Sequence, residues 1–267
     1  MTLGVSVAEL VRDGRAGGAL RMGLSRVSEA EWMQPAVDRQ ARAAAFDRYP
    51  DALQCLPGAA AAGNEAAALR GVAGGLADAA RAGWEDLCLL QADAVGAWVL
   101  TAGAVGFPTD WRLADKLGLP LTAVHAPIHG YAEQLAAAVD HFLRTLPPGP
   151  IFGRANWFVV PSAAWRYLPG DAPAERFAHV TAANAGETLF VRCERQTLRR
   201  LPATGAVLFT IGIAVAPLGG LPGDMVARIA GAVMALPAGE DERRAAPFYA
   251  DALEGYATAR AAPERAV

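Results

Sequence analysis

A chain of 267 residues, 53% of them apolar, is long and hydrophobic enough to bury a sizeable core, which excludes intrinsic disorder. Its formal charge of −3 argues against a nucleic-acid or anionic-membrane partner, because both are met with a basic excess. Three scattered cysteines, Cys55, Cys88 and Cys193, show no Cys-x-x-Cys or Cys-His spacing, so neither a disulfide framework nor a thiolate metal site is expected, and a reducing, cytoplasmic setting fits.

Glu9, Arg12, Asp13 and Arg15 interrupt any apolar run in residues 1–20, so no secretory leader is expected there. Residues 1–37 read as an extended arm with a short helix near Val5 to Arg12. Residues 38–49 favour a helix that Pro50 ends. Asn64 is a plausible N-cap for a second helix, with Leu69, Val72, Ala73, Leu76 and Ala80 on one face. Leu87 to Gln91 and Trp98 to Ala102 then form a hairpin that is apolar on both sides, which predicts that both faces are covered.

After Phe107-Pro108, Thr109 or Asp110 caps a short helix through Lys116, with Gly118 beyond its end. Leu119 to Gly130, which holds Pro120, His125, Pro127 and His129, is expected to be irregular. From Tyr131, the positions Leu135, Val139, Phe142 and Leu146 define an amphipathic helix stopped by Pro147-Pro148. Ile151 to Val160 is a strand, 161–185 a loop, and Thr188 to Gln196 and Ala206 to Val215 are the last strands. The longest apolar run, Ala206 to Leu218, falls short of the ~20 residues that cross a bilayer.

Pro222-Gly223-Asp224 opens a helix with Met225, Ile229, Val233 and Leu236 on one side. Pro247 opens a last helix through Tyr256, and the residues after Ala257 are expected to fray. This order predicts an α+β fold with an antiparallel sheet. Residues 1–84 read as an arm and helices, 85–218 as the core, and 219–267 as C-terminal helices.

Arg192-Cys193-Glu194-Arg195-Gln196-Thr197-Leu198-Arg199-Arg200 reads as a charged turn between two core strands. Its guanidinium groups either capture an anionic ligand or form an ion-pair knot around Glu194. Of the four histidines, His125 lies between Val124 and Ala126 in a proline-bearing loop that leads into a helix. It is either a metal ligand beside an apolar cavity or a loop side chain satisfied by hydrogen bonds. His129 is a fallback ligand or a distal polar group, His141 a helix-surface residue, and His179 a loop residue without supporting context.

The run Glu194-Arg195-Gln196-Thr197-Leu198-Arg199-Arg200-Leu201-Pro202 with Thr204-Gly205-Ala206 and Leu208-Phe209-Thr210-Ile211 resembles the haem-dependent oxidative N-demethylase α-subunit-like family. Further blocks agree in the same order. They are Arg21-Met22-Gly23-Leu24, Glu85-Asp86-Leu87-Cys88, Phe107-Pro108-Thr109 with Trp111, Lys116 to Leu121, His125-Ala126-Pro127, Gly130-Tyr131 and Asn156-Trp157. The resemblance runs from about residue 19 to about residue 218 and implies a PAS-like antiparallel sheet with flanking helices.

It also implies haem b, held non-covalently because Cys-x-x-Cys-His is missing, with His125 as iron ligand. Arg195 and Arg200, with Arg192 as a third, are then candidate cations for the propionates. Tyr131, Trp157 and Phe107 line the slot or belong to plain core. The implied activity is oxidation of a small secondary amine such as dimethylamine by dioxygen, with Glu194 or Trp157 placing the ammonium group. The sequence carries no dinucleotide fingerprint, P-loop or iron–sulfur cysteine pattern, so an external reductase using NAD(P)H with flavin or an iron–sulfur centre is expected.

The alternatives are a haem-binding PAS-type sensor or carrier, and a subunit that has lost its haem. Relative to the family pattern this chain has Gly106 before Phe107, and Gly212 and Ala214 in place of a cation and an aromatic residue. Those changes predict an enlarged or neutralised pocket.

Overall fold

The computed structural model describes residues 3–13, 20–36 and 38–261. Its strands are β1 (Ser25–Val27), β2 (Leu53–Cys55), β3 (Asp86–Ala92), β4 (Trp98–Ala104), β5 (Ile151–Val160), β6 (Phe190–Arg200) and β7 (Val207–Pro217). They form one sheet in the order β1-β5-β6-β7-β3-β4-β2, and every pairing is antiparallel. The helices are α1 (Val7–Asp13), α2 (Arg39–Arg48), α3 (Ala60–Leu69), α4 (Leu76–Ala82), α5 (Leu121–Val124), α6 (Tyr131–Gln134) and α7 (Ala136–Thr145). They continue with α8 (Pro173–Phe177), α9 (Ala185–Thr188), α10 (Gly223–Met234), α11 (Glu240–Arg243) and α12 (Ala250–Ala261). The fold is α+β, as the element order predicts. Among the described residues no helix is long and apolar enough to cross a membrane.

The period-two alternation of β5 and β6 gives the sheet two chemically distinct faces. One face carries Trp157, Cys193, Arg195, Thr197 and Thr210 and packs into the largest apolar cluster with α1, α3, α4, α10 and α12. The other carries Phe152, Arg154, Asn156 and Phe158, opposite Leu198, Gln196, Glu194 and Arg192, and it is covered by residues 105–146. The expectation that the first hairpin is covered on both sides holds: Leu87 and Leu89 fall in the first cluster, Cys88 and Leu90 in the second.

Several local expectations are corrected. The arginine-rich run is strand rather than turn: Phe190–Arg200 pairs on both sides, with β5 and with β7 along its whole length, so its backbone groups are spent in ladders. The turn lies beyond it at 201–206, where Gly205 takes φ +72° and the Glu65 carboxylate accepts from the amides of Ala203 (2.7 Å) and Thr204 (2.9 Å). Asn64 sits inside α3 rather than capping it. The helical stretch breaks at Gly71 and Gly74, both at positive φ, so the expected single face is split between α3 and α4.

Residues 109–116 form only a 3-10 turn at Leu113–Asp115, and the stretch taken as irregular contains the short α5. Pro247 opens a 3-10 turn, after which α12 starts at Ala250 and continues past Ala257 to Ala261. Residues 1–2 and 14–19, on which part of the leader argument rests, lie outside the described residues.

Candidate functional site

His125 is the residue that ends α5. Its Nδ1 lies 2.8 Å from the Leu121 carbonyl, which can only accept, so Nδ1 carries the proton and the lone pair sits on Nε2. Nε2 has no hydrogen-bond partner among the described residues. Burial pulls the imidazole below its ordinary pKa. Arg154 and Lys116 push in the same direction, and only the Leu121 hydrogen bond opposes them. The ring is therefore neutral at pH 7, the state in which imidazole ligates a metal. It stacks on Tyr131, the first residue of α6, with centroids 4.4 Å apart and planes at 19°.

Facing this pair is the polar stripe of the sheet. Arg154 Nε donates to Gln196 Oε1 (2.8 Å), and Gln196 Nε2 donates to Glu194 Oε2 (2.8 Å). The N-terminal arm closes the side: Met22 O accepts from Arg154 Nη1 (3.3 Å), and the Leu20 amide donates to Gln134 Oε1 (3.1 Å). Beside the stripe, Phe152, Leu198 and Phe209 on the sheet and Trp111, Val124 and Val139 opposite them all remain only half-buried. A tightly closed layer would have removed them from water, so the apolar seam, or cleft, in which they pack between sheet and covering segment is only partly closed.

These features fit a flat apolar group carrying a metal and acidic substituents. The cleft offers apolar walls, one neutral imidazole with a free lone pair, and one guanidinium. Among the described residues there is no group of three or more His, Cys, Asp or Glu side chains able to hold a metal ion, whereas an iron already held by a porphyrin needs only one or two axial ligands.

The other expected site residues are dispersed. Arg192 is fully buried, and its donors are spent on Thr109 Oγ1 (2.7 Å) and on the carbonyls of Phe107, Pro108, Ala164 and Trp165. Burial brings its pKa down to about 10, and it staples the 107–109 loop to the 164–165 loop. Arg195 points to the opposite face, where it donates to Leu3 O (3.3 Å) and Glu31 O and lies 3.8 Å from Glu85. Arg200 closes the end of α7 through Leu146 O (2.6 Å) and Leu143 O and the turn through Gly205 O (2.7 Å). None of the three points a free guanidinium at His125.

Trp157 also lies on the opposite face, within the apolar cluster. Phe107 packs with Ile211 and Ile213 at the far end of the cleft face and leans on Trp165 (5.2 Å). Tyr131 does stack on His125, whereas Glu194 lies on the same sheet face and is tied to Arg154 through Gln196. His129 is exposed against Gly239, and His141 and His179 are exposed.

Gly212 and Ala214 pair with Arg195 and Cys193, so their side chains would project away from the cleft. The space above Gly212 is taken by the Trp84 ring, 2.7 Å from where a Cβ would stand, and the expected pocket enlargement does not reach His125. At Gly106 a Cβ would stand 3.2 Å from the Phe46 ring. Two cavities lie elsewhere: one of about 70 Å³ lined by Asp38, Trp84, Phe107 and Trp165, and an open groove of about 420 Å³ beside Gly186, Gly219 and Tyr256.

Arg154 and Gln196 are the cleft residues that the sequence reading missed. The signal was present in Phe152-x-Arg154-x-Asn156-x-Phe158, where alternation puts a charge and an amide on one face between two aromatics.

The family described as "Haem-dependent oxidative N-demethylase, alpha subunit-like" matches residues 72–251, about two thirds of the chain. No curated protein matches it.

Proposed function

From the premise that this chain belongs to the haem-dependent oxidative N-demethylase, alpha subunit-like family, we propose that it is the haem-binding subunit of an oxygenase that demethylates a small secondary amine such as dimethylamine. The observation that carries this reading is His125: a neutral imidazole with Nδ1 committed to Leu121 and Nε2 free, in a covering segment that packs partly buried apolar side chains against the sheet. The five long strands run across the sheet as second, first, fifth, fourth and third, and this order supports the PAS-like description.

His125 Nε2 would take the iron of haem b, and the bond from Nδ1 to Leu121 would fix ring orientation and tautomer. Tyr131, stacked on the imidazole, would hold the ring against rotation, and Phe152, Leu198 and Phe209 would exclude water from one macrocycle face. Glu194, kept in place by Gln196, would orient the substrate ammonium group at the polar edge. Bound haem supplies oxidation by dioxygen: dimethylamine, O2, two electrons and two protons give methylamine, formaldehyde and water. The electrons would come from a separate reductase subunit in the same, cytoplasmic, compartment. Residues 85–218 form the haem-binding core in this reading, with 1–84 and 219–267 packed upon it.

The test is reconstitution with haemin, followed by a visible spectrum and by formaldehyde assay with dimethylamine and a reductase. A Soret band that depends on His125, with formaldehyde release, is the expected result. A Soret band without formaldehyde would move the chain to the sensor or carrier class, and absence of the band would remove the haem reading.

A further inference from the structure

Resting on the haem reading above, we propose that Arg154 is the carboxylate-binding cation of the His125 cleft. Of the arginines of β6, Arg192, Arg195 and Arg200 are committed as described, and Arg199, on the opposite face, pairs with Glu29 at 2.6 Å. Arg243 and Arg244, at the far end of the same face, both engage Glu240, at 2.6–2.7 Å. Arg26 also faces this side, but it is exposed and rests on the Phe152 ring at 5.0 Å, where water screens it.

Arg154 is different. It is half-buried in mid-strand, and its two hydrogen bonds go to neutral oxygens, Gln196 Oε1 and Met22 O. No carboxylate lies within ion-pair distance of it among the described residues. Glu194, the nearest acid on its face, sits diagonally across the ladder and is bridged to it through the Gln196 amide. A guanidinium has five N–H donors, so three of those of Arg154 have no hydrogen-bond partner among the described residues, and its charge is close enough to act on both His125 and Tyr131.

A cation withdrawn from water is unfavourable, and Glu194 offsets this only from a distance, through the Gln196 amide; a carboxylate placed against the fork would recover the loss through charge-assisted, bidentate hydrogen bonds. Two sources carry this chemistry: a porphyrin propionate, or the carboxylate of an amino-acid-type secondary amine. In the second case the adjacent Arg154 and Glu194 would match a zwitterion.

The experiment compares iron-free protoporphyrin IX with its dimethyl ester, which lacks free carboxylates, by porphyrin fluorescence on the full chain, so that iron ligation does not enter. The wild type is expected to favour the free acid by roughly tenfold to a hundredfold. Arg154→Gln should abolish that preference, and Arg154→Lys should restore part of it. If acid and ester bind equally, the second arm applies: N-methylglycine should perturb the Soret band of the haem-loaded wild type, and Arg154→Gln should remove that response. Either pattern supports the assignment and names the source.

A preference for the free acid that survives Arg154→Gln, or equal binding together with no N-methylglycine response, would overturn it. Should Arg154→Gln not fold, the lysine variant decides by the same comparison. If the wild type binds neither porphyrin, the haem reading itself falls and takes this assignment with it, a failure visible before any variant is made.

Discussion

The imidazole of His125 and the phenol ring of Tyr131 lie nearly parallel, 4.4 Å apart, across the junction between the last turn of α5 and the first residue of α6. The junction bends there through Gly130, at φ +74°, a conformation that residues with a Cβ seldom adopt. His125→Ala should therefore remove the Soret band while costing only about 1 kcal/mol of stability, the scale of one aromatic stack. Haemin titration and urea denaturation of the same variant check both halves. Retention of the full band would transfer the ligand role to another residue.

The protonation of His125 gives a pH signature. Its folded pKa lies below its unfolded value, so as pH falls through about 6.5 the unfolded chain takes up the proton first. Its contribution to stability is unchanged above that pH and becomes increasingly unfavourable as pH falls toward the folded value. Arg154→Gln removes one of the neighbouring charges that disfavour the imidazolium, so the folded pKa should rise toward 6.5. A histidine-resolved NMR titration of the two proteins is the measurement; a lower or unmoved value in the variant would count against the electrostatic account.

Asp86 is tied from two sides at the start of β3. Its Oδ1 accepts from Arg42 Nη1 (2.6 Å) and the Gly106 amide (2.9 Å), and its Oδ2 accepts from the Phe107 amide (3.0 Å). Arg42 and Asp86 are each 1% exposed, so removing one leaves the other charged and dry. Asp86→Ala should cost about 3–5 kcal/mol. Asp47→Ala, which breaks an exposed pair with Arg81, should cost under about 1 kcal/mol. Parallel denaturant curves separate the two.

Two glycine substitutions should have opposite signs. Gly212→Ala drives a methyl group into the six-membered ring of Trp84, whose indole N–H is already fixed on the Ile213 carbonyl at 2.7 Å, and should destabilise by about 1–3 kcal/mol. Gly231→Ala, in the interior of α10 with open space around its Cβ position, should stabilise by about 0.5–1 kcal/mol. Thermal melts with tryptophan fluorescence report both, and Gly212→Ala should also alter the Trp84 emission.

Much of the fold was legible because its cues are local. The hairpin around residues 92–96, the whole of Ile151–Val160, the stop at Pro147-Pro148 and the helix start at Pro222-Gly223 depend on turn chemistry and periodicity over a few residues. The arginine-rich run was misread as a turn for a related reason. Local composition marks it as charged, and only pairing with β5 and β7 shows that each guanidinium finds carbonyls or a carboxylate contributed from far along the chain.

The sequence by itself determined the α+β element order, the family and His125 as the histidine to watch. Tertiary structure alone decided which charges share a space with that histidine. In a strand, neighbouring residues point to opposite sides, so Arg195 and Gln196, one position apart, end on different faces. Arg154, forty-two positions from Gln196, ends beside it. Such company is settled by strand register and by what covers each face, both of which arise only when distant segments pack together.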